Sequence, residues 1–463
     1  MAGGEDEDVD EDDEDEDKDD GAGDTRRPSL LHGTAKDVLN RCISGKGEPP
    51  LELTIAAVAC AGSGVICGIP VQRMREVCVR KLDLSNSGIH WAAAMLVAYL
   101  IPATLVLKNC NLLKNSFNVE SATMLAKIGA EKGIMLSGMT RNQTVEFFSG
   151  EDLQSADAIL IASDLQFMAV LTELNLYDNN IGDDGAKAIA EALKVNPVLT
   201  NLDLYKNNIG DDGAKAIAEA LKVNPVLTIL NLYDNTIGAD GAKAIAEALK
   251  VNPVLTELNL EFNSIGVDGA KAIAEALKVN PVLNTLWLSS NNIGDNGAKA
   301  IAEALKVNPV LTILRLDGNG IGDDGAKAIA EALKVNPVLN NLDLRFNSIG
   351  ADGAKAIAEA LKVNVVLTNL RLGRNEIGDG GAKAIAEALK VNPVLTKLDL
   401  DGNSIGDLDG NSIGVDGAKA IVEALKVNLV LTKLDLERNN MGEAGKKAVR
   451  KAVKNRGGFV LKL

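Results

Sequence analysis

The sequence contains few of the residues on which active sites and metal sites usually depend. Two of its 463 residues are histidine, and it has no G-x-x-x-x-G-K-[ST] segment of the kind that binds nucleoside triphosphates. Histidine is the commonest metal ligand and a frequent general base, so its scarcity nearly excludes histidine-based metal sites and catalytic triads. We therefore predict that the protein is not an enzyme and requires no cofactor or metal.

Cysteine is also scarce, and its distribution argues against disulfides. All five cysteines precede residue 111, none has a C-x-x-C spacing, and their odd number cannot form a closed set of pairs. Reduced thiols are typical of the cytosol and the nucleus. The acidic N-terminus also lacks the positive charge with which a secretory signal begins. We expect a cytoplasmic protein, with the nucleus as the alternative location.

Acidic residues are abundant, but almost all of the excess negative charge lies at one end. Residues 1–24 contain fifteen Asp and Glu and one Lys, a balance of −14 out of the total of −16. Such a segment has no apolar surface to bury, so residues 1–50 are predicted to be a disordered acidic tail with a polar lead-in. The tail either keeps the protein soluble or binds basic proteins such as histones. Two arginines ahead of Ser29 make this serine a candidate phosphorylation site.

From residue 171 onward the sequence repeats with a period of 28 residues. The first leucines of the copies are Leu171, Leu199, Leu227, Leu255, Leu283, Leu311, Leu339, Leu367 and Leu395, and Leu431 follows after 36 residues. The segment GAKAIAEALKVNPVL is identical in seven copies, and a fixed period of this length indicates a solenoid. We assign regular repeats to residues 171–442, with an eight-residue insertion near 404–413. A basic C-terminal cap, residues 443–463, is a candidate binding partner of the acidic tail.

Each repeat is predicted to form one short strand and one helix. In the first copy Leu174 and Leu176 alternate with polar residues, as in a strand with one buried face. Asn179 is expected to hydrogen-bond backbone groups where the chain leaves the sheet, and its copies to form a ladder. Asp184 is expected to cap the following helix, and Pro197 to prevent that helix from continuing.

The region before the regular repeats, residues 51–170, is interpreted as degenerate N-terminal repeats. Residues 82–89 and 105–112 resemble the strand segment of the repeat, and residues 151–165 resemble its helix. Residues 54–71 carry no charge and have the minimum length of a membrane span. Because this run is rich in Gly, Ala and Ser and contains Pro70, a buried helix–turn pair is favoured, and no membrane association is expected.

The motif L-x-x-L-x-L-x-x-N-x-I-G, followed by an alanine-rich helix, resembles the ribonuclease-inhibitor-like leucine-rich repeats. The resemblance covers residues 171–463 and, more weakly, 75–170. It implies an α/β solenoid shaped like a curved horseshoe, with parallel strands on the concave face and helices on the convex face. The class includes the arms of NOD-like receptors and Ran GTPase-activating protein, so regulation of a small GTPase is an alternative function. In that protein, however, the acidic tail follows the repeats rather than preceding them.

Because the helices are copied almost unchanged, binding specificity is expected at the outward positions of the strands, where the copies differ. Tyr, Trp and Arg, which anchor many protein interfaces, occur there in two zones. The predicted partner-binding residues are Tyr177, Tyr205, Tyr233, Glu261, Trp287, Arg315, Arg345, Arg371 and Arg374. Strand propensity and duplication also explain the tyrosines, but explain the arginines less well. We predict a protein-interaction scaffold or sensor. The interspersed Asp317, Asp343 and Asp399 and the net negative charge argue against nucleic acid as the ligand.

The insertion arises from an eight-residue phrase written twice, DLDGNSIGDLDGNSIG at 399–414. Asp407, Asp409 and Asn411 have the spacing of the first three ligands of a calcium-binding loop. Ser412, however, occupies the position of the invariant glycine, and Ala418 that of the bidentate glutamate. A local duplication is therefore favoured over a metal site.

Overall fold

The computed structural model describes residues 65–66, 69–70, 79–103, 106–403 and 413–463, in which strands and helices alternate. The strands are β1 (Val65–Ile66), β2 (Ile69–Pro70), β3 (Lys81–Asp83), β4 (Asn109–Asn111), β5 (Val145–Phe147), β6 (Glu173–Asn175), β7 (Asn201–Asp203), β8 (Ile229–Asn231), β9 (Glu257–Asn259), β10 (Thr285–Trp287), β11 (Ile313–Arg315), β12 (Asn341–Asp343), β13 (Asn369–Arg371), β14 (Lys397–Asp399), β15 (Lys433–Asp435) and β16 (Val460–Lys462). The α-helices are α1 (Ala94–Ala103), α2 (Val119–Lys132), α3 (Ser155–Leu165), α4 (Gly182–Leu193), α5 (Asp211–Leu221), α6 (Ala239–Leu249), α7 (Gly266–Leu277), α8 (Gly294–Leu305), α9 (Asp323–Leu333), α10 (Ala351–Leu361), α11 (Gly378–Leu389), α12 (Val415–Val427) and α13 (Gly442–Val453).

Twelve strands, β5 to β16, form one parallel sheet in which each strand pairs with its neighbours in the sequence. The register advances by one repeat at each step, so that Leu174 lies opposite Leu202, and Leu202 opposite Leu230. Strands β3 and β4 form a separate parallel pair. Neighbouring strands lie about 4.8 Å apart and packed helices about 8–10 Å apart, so the stack curves with the strands on its concave face. The predicted leucine-rich-repeat solenoid is confirmed.

The core consists of aliphatic side chains from the inner faces of the strands and helices. In the first regular repeat, Leu174 and Leu176 on the strand side and Ile189, Ala190 and Leu193 of α4 have no exposed surface. Alanine allows the helix to approach the sheet closely, while each buried leucine or isoleucine contributes roughly 1.5–3 kcal/mol. The leucine positions of the strands are buried in every following repeat. A core of this kind needs few aromatic residues, which explains their low content in the sequence.

An asparagine ladder runs along the edge where the chain leaves the sheet, as predicted. The side-chain amide of Asn207, which has no exposed surface, donates to the carbonyl oxygens of Leu176 (2.9 Å) and Tyr205 (3.0 Å). In the next repeat, the side-chain oxygen of Asn235 accepts from the backbone N–H groups of Asn207 (3.1 Å) and Ile209 (2.9 Å). Each asparagine therefore satisfies backbone groups of its own repeat and of the repeat before it.

A second asparagine ladder, which the sequence analysis did not identify, lies after the helices. The Asn224 side chain donates to the carbonyl oxygen of Leu193 (2.6 Å) and accepts from the backbone N–H groups of Val226 (3.0 Å) and Leu227 (2.8 Å). Pro225, which lies between, has no N–H group of its own. The asparagine of the V-N-x-V-L segment, in which x is proline in most of the regular repeats, thus closes the turn from helix to strand.

The prediction that Asp184 caps its own helix is wrong. Helix α4 begins without a side-chain cap, and Asp184 forms an exposed ion pair with Lys187 at 3.1 Å. The preceding residue, Asp183, instead accepts hydrogen bonds from the backbone N–H groups of Gly210 (2.7 Å) and Gly213 (2.8 Å) at the start of α5. The carboxylate that satisfies the first turn of a helix therefore comes from the neighbouring repeat.

The observed register of one degenerate repeat differs from the predicted register. The prediction placed its strand segment at 105–112, but Cys110 of β4 lies opposite Leu82 of β3. The ladder asparagine is Asn115, whose side chain donates to the carbonyl oxygens of Leu84 and Leu112, both at 2.8 Å. A buried cysteine replaces the first leucine here, so a search for leucine pairs selects the wrong register.

Candidate partner-binding surface

The predicted tyrosines form a continuous column along the concave face. The Tyr177 and Tyr205 rings stack with their centroids 4.6 Å apart, the Tyr205 and Tyr233 rings meet edge to face at 4.4 Å, and Phe262 extends the column at 4.9 Å from Tyr233. We call these four residues the aromatic column. The spacing of the three tyrosines follows from the parallel register, which places equivalent residues of successive repeats side by side, whereas Phe262 lies one position later in its repeat. Burial and a neighbouring tyrosine raise the pKa of Tyr205 and of Tyr233.

Phe262, at the end of the aromatic column, is 48% exposed and has a backbone φ of 53°. This left-handed conformation recurs at the same position of the other repeats, where glycine occurs as Gly318 and Gly402. A bulky residue in this conformation costs roughly 1–3 kcal/mol. Phe346 occupies the equivalent position with φ 53° and is 55% exposed. Neither burial nor backbone preference therefore accounts for the two exposed phenylalanines.

Beyond the aromatic column, Trp287 and Arg315 form a cation–π pair above a buried carboxylate. The Arg315 guanidinium lies 4.7 Å from the centroid of the Trp287 ring, and its Nη1 lies 3.5 Å from Oε1 of Glu261. The Ser289 hydroxyl contacts the carboxylates of both Glu261 and Asp317. Because a hydroxyl has one proton, Ser289 can donate to only one of the two carboxylates at a time. Burial raises the pKa of both carboxyls. Arg315 is held in its orientation by two contacts, one with the Trp287 ring and one with the Glu261 carboxylate.

Two further arginines share one buried aspartate. Asp343 is 1% exposed and receives a bidentate contact from Arg345, with Nε 2.9 Å from Oδ1 and Nη2 2.7 Å from Oδ2. Arg371 also approaches Oδ2, with Nη1 at 3.2 Å. Bidentate arginine–carboxylate pairs fix both partners. The two guanidinium groups are thus presented together on the concave face, with one of their two charges balanced.

Arg374 lies apart from these two arginines. Its guanidinium carbon is 5.8 Å from the centroid of the Phe346 ring, and its Nε is 3.4 Å from Oδ2 of Asp401, too poorly aligned for a hydrogen bond. Arg438 contacts the same Asp401 oxygen at 3.1 Å. The four predicted arginines therefore form three separate arrangements rather than one cluster.

A pocket of about 260 Å³ lies at the C-terminal end of the concave face. Its lining residues are Arg345, Asn369, Arg371, Lys397, Leu398, Asp399, Lys433, Asp435 and Lys462. Sequence reasoning selected its two arginines but none of its three lysines. The signal for two of them was present, because the first outward strand position changes to lysine only in β14 and β15 of the regular repeats.

Several predicted features fall outside the described residues. These include Ser29, the acidic tail and the calcium-like triplet at 407–411, together with most of the candidate span at 54–71. Within the part of the chain that the structure describes, no helix is both long and apolar enough to cross a membrane. The same residues contain no group of three or more His, Cys, Asp or Glu arranged to hold a metal ion.

Comparison with protein families identifies the repeat. The family model described as Leucine Rich repeat matches nine segments, at residues 168–190, 195–218, 223–246, 251–274, 279–302, 307–330, 335–358, 363–386 and 391–408. The chain is a leucine-rich repeat protein. Its ribonuclease-inhibitor-like subclass, its domain boundaries, its cytoplasmic location and the GTPase-regulator alternative remain predictions.

Solved structures of other proteins resemble this leucine-rich repeat protein at low identity. The actin-binding site 2 structure of leiomodin-1 is 23% identical, covers 40% of this chain and 87% of its own, and has a TM-score of 0.26. An internalin from Listeria monocytogenes is 18% identical, with 73% and 92% covered and a TM-score of 0.38. The TLR13–ssRNA13 complex is 19% identical, with 78% and 46% covered and a TM-score of 0.37. No curated protein matches the chain in sequence.

Proposed function

We propose that this leucine-rich repeat protein is a non-enzymatic scaffold or sensor that binds a partner protein on its concave face. The observation that carries the proposal is the aromatic column, in which three half-buried tyrosines and one exposed phenylalanine lie in contact along four successive repeats. Aromatic side chains bury a large area at a small cost in conformational entropy, so they are common anchors of protein interfaces.

The distribution of sequence variation supports the same surface. The helices of the regular repeats are copied almost unchanged, whereas the outward strand positions differ from repeat to repeat. Stability alone would permit one outward sequence to be used throughout. The exposed phenylalanines at left-handed backbone positions strengthen this argument, because glycine at those positions would relieve backbone strain.

The arrangement of charges indicates how a partner would be oriented. The aromatic column is followed along the sheet by Arg315 and then by the Arg345–Asp343–Arg371 cluster. Each guanidinium is held by a carboxylate or a ring, so little side-chain freedom is lost when a partner binds. We expect a partner that places an apolar segment over the tyrosines and acidic groups toward the arginines.

The proposal is tested by comparing the proteins captured from native cells by three forms of the full chain. The first is the parent chain, the second carries Tyr177→Ala, Tyr205→Ala and Tyr233→Ala, and the third is a control with substitutions away from the outward strand positions. The control carries Val195→Ala, Val223→Ala and Val251→Ala, which removes exposed apolar side chains from the turns after the helices of the same repeats. We expect partners that the parent and the control retain and the tyrosine variant loses. Equal capture by all three forms would refute the concave-face proposal.

A further inference from the structure

Lys397 and Lys433 form an unusual pair in the pocket at the C-terminal end of the concave face. They are register partners on the neighbouring parallel strands β14 and β15, which places their side chains side by side on one face. Like charges directly opposite one another on a sheet are destabilising. Among the residues that the structure describes, neither lysine has an ion-pair partner. At the equivalent position the preceding strands of the sheet have Val145, Glu173, Asn201, Ile229, Glu257, Thr285, Ile313, Asn341 and Asn369.

The charges around the lysine pair do not neutralise it. Asp343 is already engaged by Arg345 and Arg371, and Asp435 lies 3.0 Å from Lys462. Asp399 is half-buried, and burial is the largest of the effects that raise the pKa of its carboxyl. The lining itself therefore has five cationic side chains and two carboxyls, a balance of +3, and Asp343, which contacts Arg345 and Arg371, reduces this balance to +2.

We propose that the pocket containing Lys397 and Lys433 is a carboxylate-binding site, and that its occupant is the chain's own acidic segment, residues 5–20. This inference rests on the proposed function, because the segment then covers one end of the concave face and competes with the partner protein. A carboxylate between the two lysines would relieve their mutual repulsion and gain charge-assisted hydrogen bonds from both ammonium groups.

Charge and chain length both favour this occupant. Residues 5–20 contain fourteen Asp and Glu and one Lys. The 45 residues from residue 20 to Val65, where the described structure begins, can extend to about 150 Å. The thirteen strands from β3 to β15 extend over only about 60 Å at their normal spacing of about 4.8 Å. The acidic segment can therefore reach the pocket without unfolding any described repeat.

Helix α13 contains a second cluster of basic residues, and two of its lysines provide a matched control for Lys397 and Lys433. Lys447 and Lys451 are exposed on this helix, four residues apart. They are not among the residues that line the pocket. Neutralising them removes the same number of charges from the chain without altering the proposed site.

The test uses the full chain and a fluorescent peptide with the sequence of residues 5–20. In one variant, the neutral-tail chain, the fourteen acids of residues 5–20 are replaced by Asn and Gln. We expect the peptide to bind this variant at least tenfold more tightly than the parent, in which the native segment occupies the pocket. Adding Lys397→Gln and Lys433→Gln should reduce the affinity about tenfold, whereas adding Lys447→Gln and Lys451→Gln should change it less than twofold.

Two results would overturn the inference. One is equal peptide affinity for the parent and the neutral-tail chain, and the other is equal loss in the pocket and helix variants. Circular dichroism establishes that each variant is folded, and Lys433→Gln alone replaces the double variant if the latter does not fold. The tyrosine variant separates this inference from the proposed function. If that variant keeps its partners while the peptide results are as expected, the concave-face function fails and the carboxylate site stands.

Discussion

The carboxylate of Asp183 in one repeat accepts a hydrogen bond of 2.7 Å from the backbone N–H of Gly210 in the next. Four further aspartates make the same contact with the following repeat, namely Asp211, Asp295, Asp323 and Asp379. Each receiving helix therefore obtains its cap from its neighbour, and the cap links successive repeats in addition to their apolar packing.

Removing one of these carboxylates should loosen the start of the next helix. Asp211→Ala leaves the N–H groups of Gly238 and Gly241 without their acceptor, a loss of about 1 kcal/mol for a helix cap. Hydrogen exchange at these two amides should therefore become about fivefold faster. The adjacent Asp212, which forms an exposed ion pair with Lys215, is the control. Asp212→Ala should change the exchange by less than about twofold, since exposed ion pairs contribute little. Equal effects of the two substitutions would contradict this account.

Where a repeat lacks this aspartate, the helix of the following repeat begins with a different backbone conformation. Where Ala239, Val267, Ala351 or Val415 occupies the aspartate position, the glycine 27 residues later, at the start of the next helix, is left-handed. These glycines are Gly266 (φ 63°), Gly294 (φ 58°), Gly378 (φ 59°) and Gly442 (φ 62°). Where aspartate is present, the equivalent glycine is extended, with φ −97° at Gly210 and −97° at Gly322. The residue in one repeat thus correlates with the backbone conformation in the next.

This difference predicts opposite results for two equivalent Gly→Ala substitutions. Gly266→Ala forces alanine into the left-handed region and should destabilise the chain by roughly 1–2 kcal/mol. Gly322 has an extended backbone, and an added Cβ would meet Asp295 Oδ2 at 3.4 Å, an ordinary contact. Gly322→Ala should therefore be neutral or stabilising by up to about 1 kcal/mol. The midpoint of urea-induced unfolding of each variant measures the difference, and equal destabilisation by both would refute it.

The asparagine ladder should tolerate substitution poorly. Asn207→Ala removes the two hydrogen bonds that its amide donates to the carbonyl oxygens of Leu176 and Tyr205, and it leaves the buried backbone N–H of Ile181 without its acceptor at 3.4 Å. An unsatisfied buried polar group costs about 1–3 kcal/mol, so we expect a clear fall in the free energy of unfolding. Asn180 is exposed and contacts the Gln154 side chain at 2.8 Å, so Asn180→Ala should cost less than about 0.5 kcal/mol. Thermal unfolding of both variants tests the contrast, and a larger loss for Asn180→Ala would contradict the ladder's role.

The Glu261–Ser289–Asp317 cluster should make stability depend on pH. Burial raises the pKa of both carboxyls, so the folded state favours their protonated forms. Their contribution to stability is therefore greatest at low pH and is lost as the pH rises through the raised pKa values. Glu261→Gln stays neutral, so its stability relative to the parent chain should increase as the pH rises from about 4 to about 7. Unfolding midpoints measured across this range check the sign, and a relative stability that falls with pH would contradict it.

The fold was predictable because every regular repeat contains the same local information. Alternating leucines, the ladder asparagine and the apolar face of the helix all depend on residues a few positions apart in the sequence. The helix cap was mispredicted because it depends on which neighbour lies beside each helix. Asp183 and Asp184 are equally good caps by residue type, and only the stacking of the repeats shows that Asp183 reaches the next helix.

The candidate surface was predictable to a similar extent. The three tyrosines of the aromatic column follow from the 28-residue period, since equivalent residues of successive repeats must be neighbours, whereas the contact with Phe262, one position later in its repeat, does not. The lysine pocket did not follow, because its third lysine, Lys462, belongs to β16, where the period no longer applies. The bidentate contact between Arg345 and Asp343 likewise depends on side-chain orientation rather than on residue spacing.

Hydroxyl-radical footprinting of the full chain, alone and with a captured partner, tests the central claim most directly. The method oxidises accessible side chains and so reports which surface the partner covers. We predict that the partner protects Tyr177, Tyr205, Tyr233 and Phe262 from oxidation and leaves Leu429 unchanged, because Leu429 is 78% exposed and lies in the turn after α12, away from the outward strand positions. Protection of Leu429 without protection of the aromatic column would contradict the claim that the concave face binds the partner.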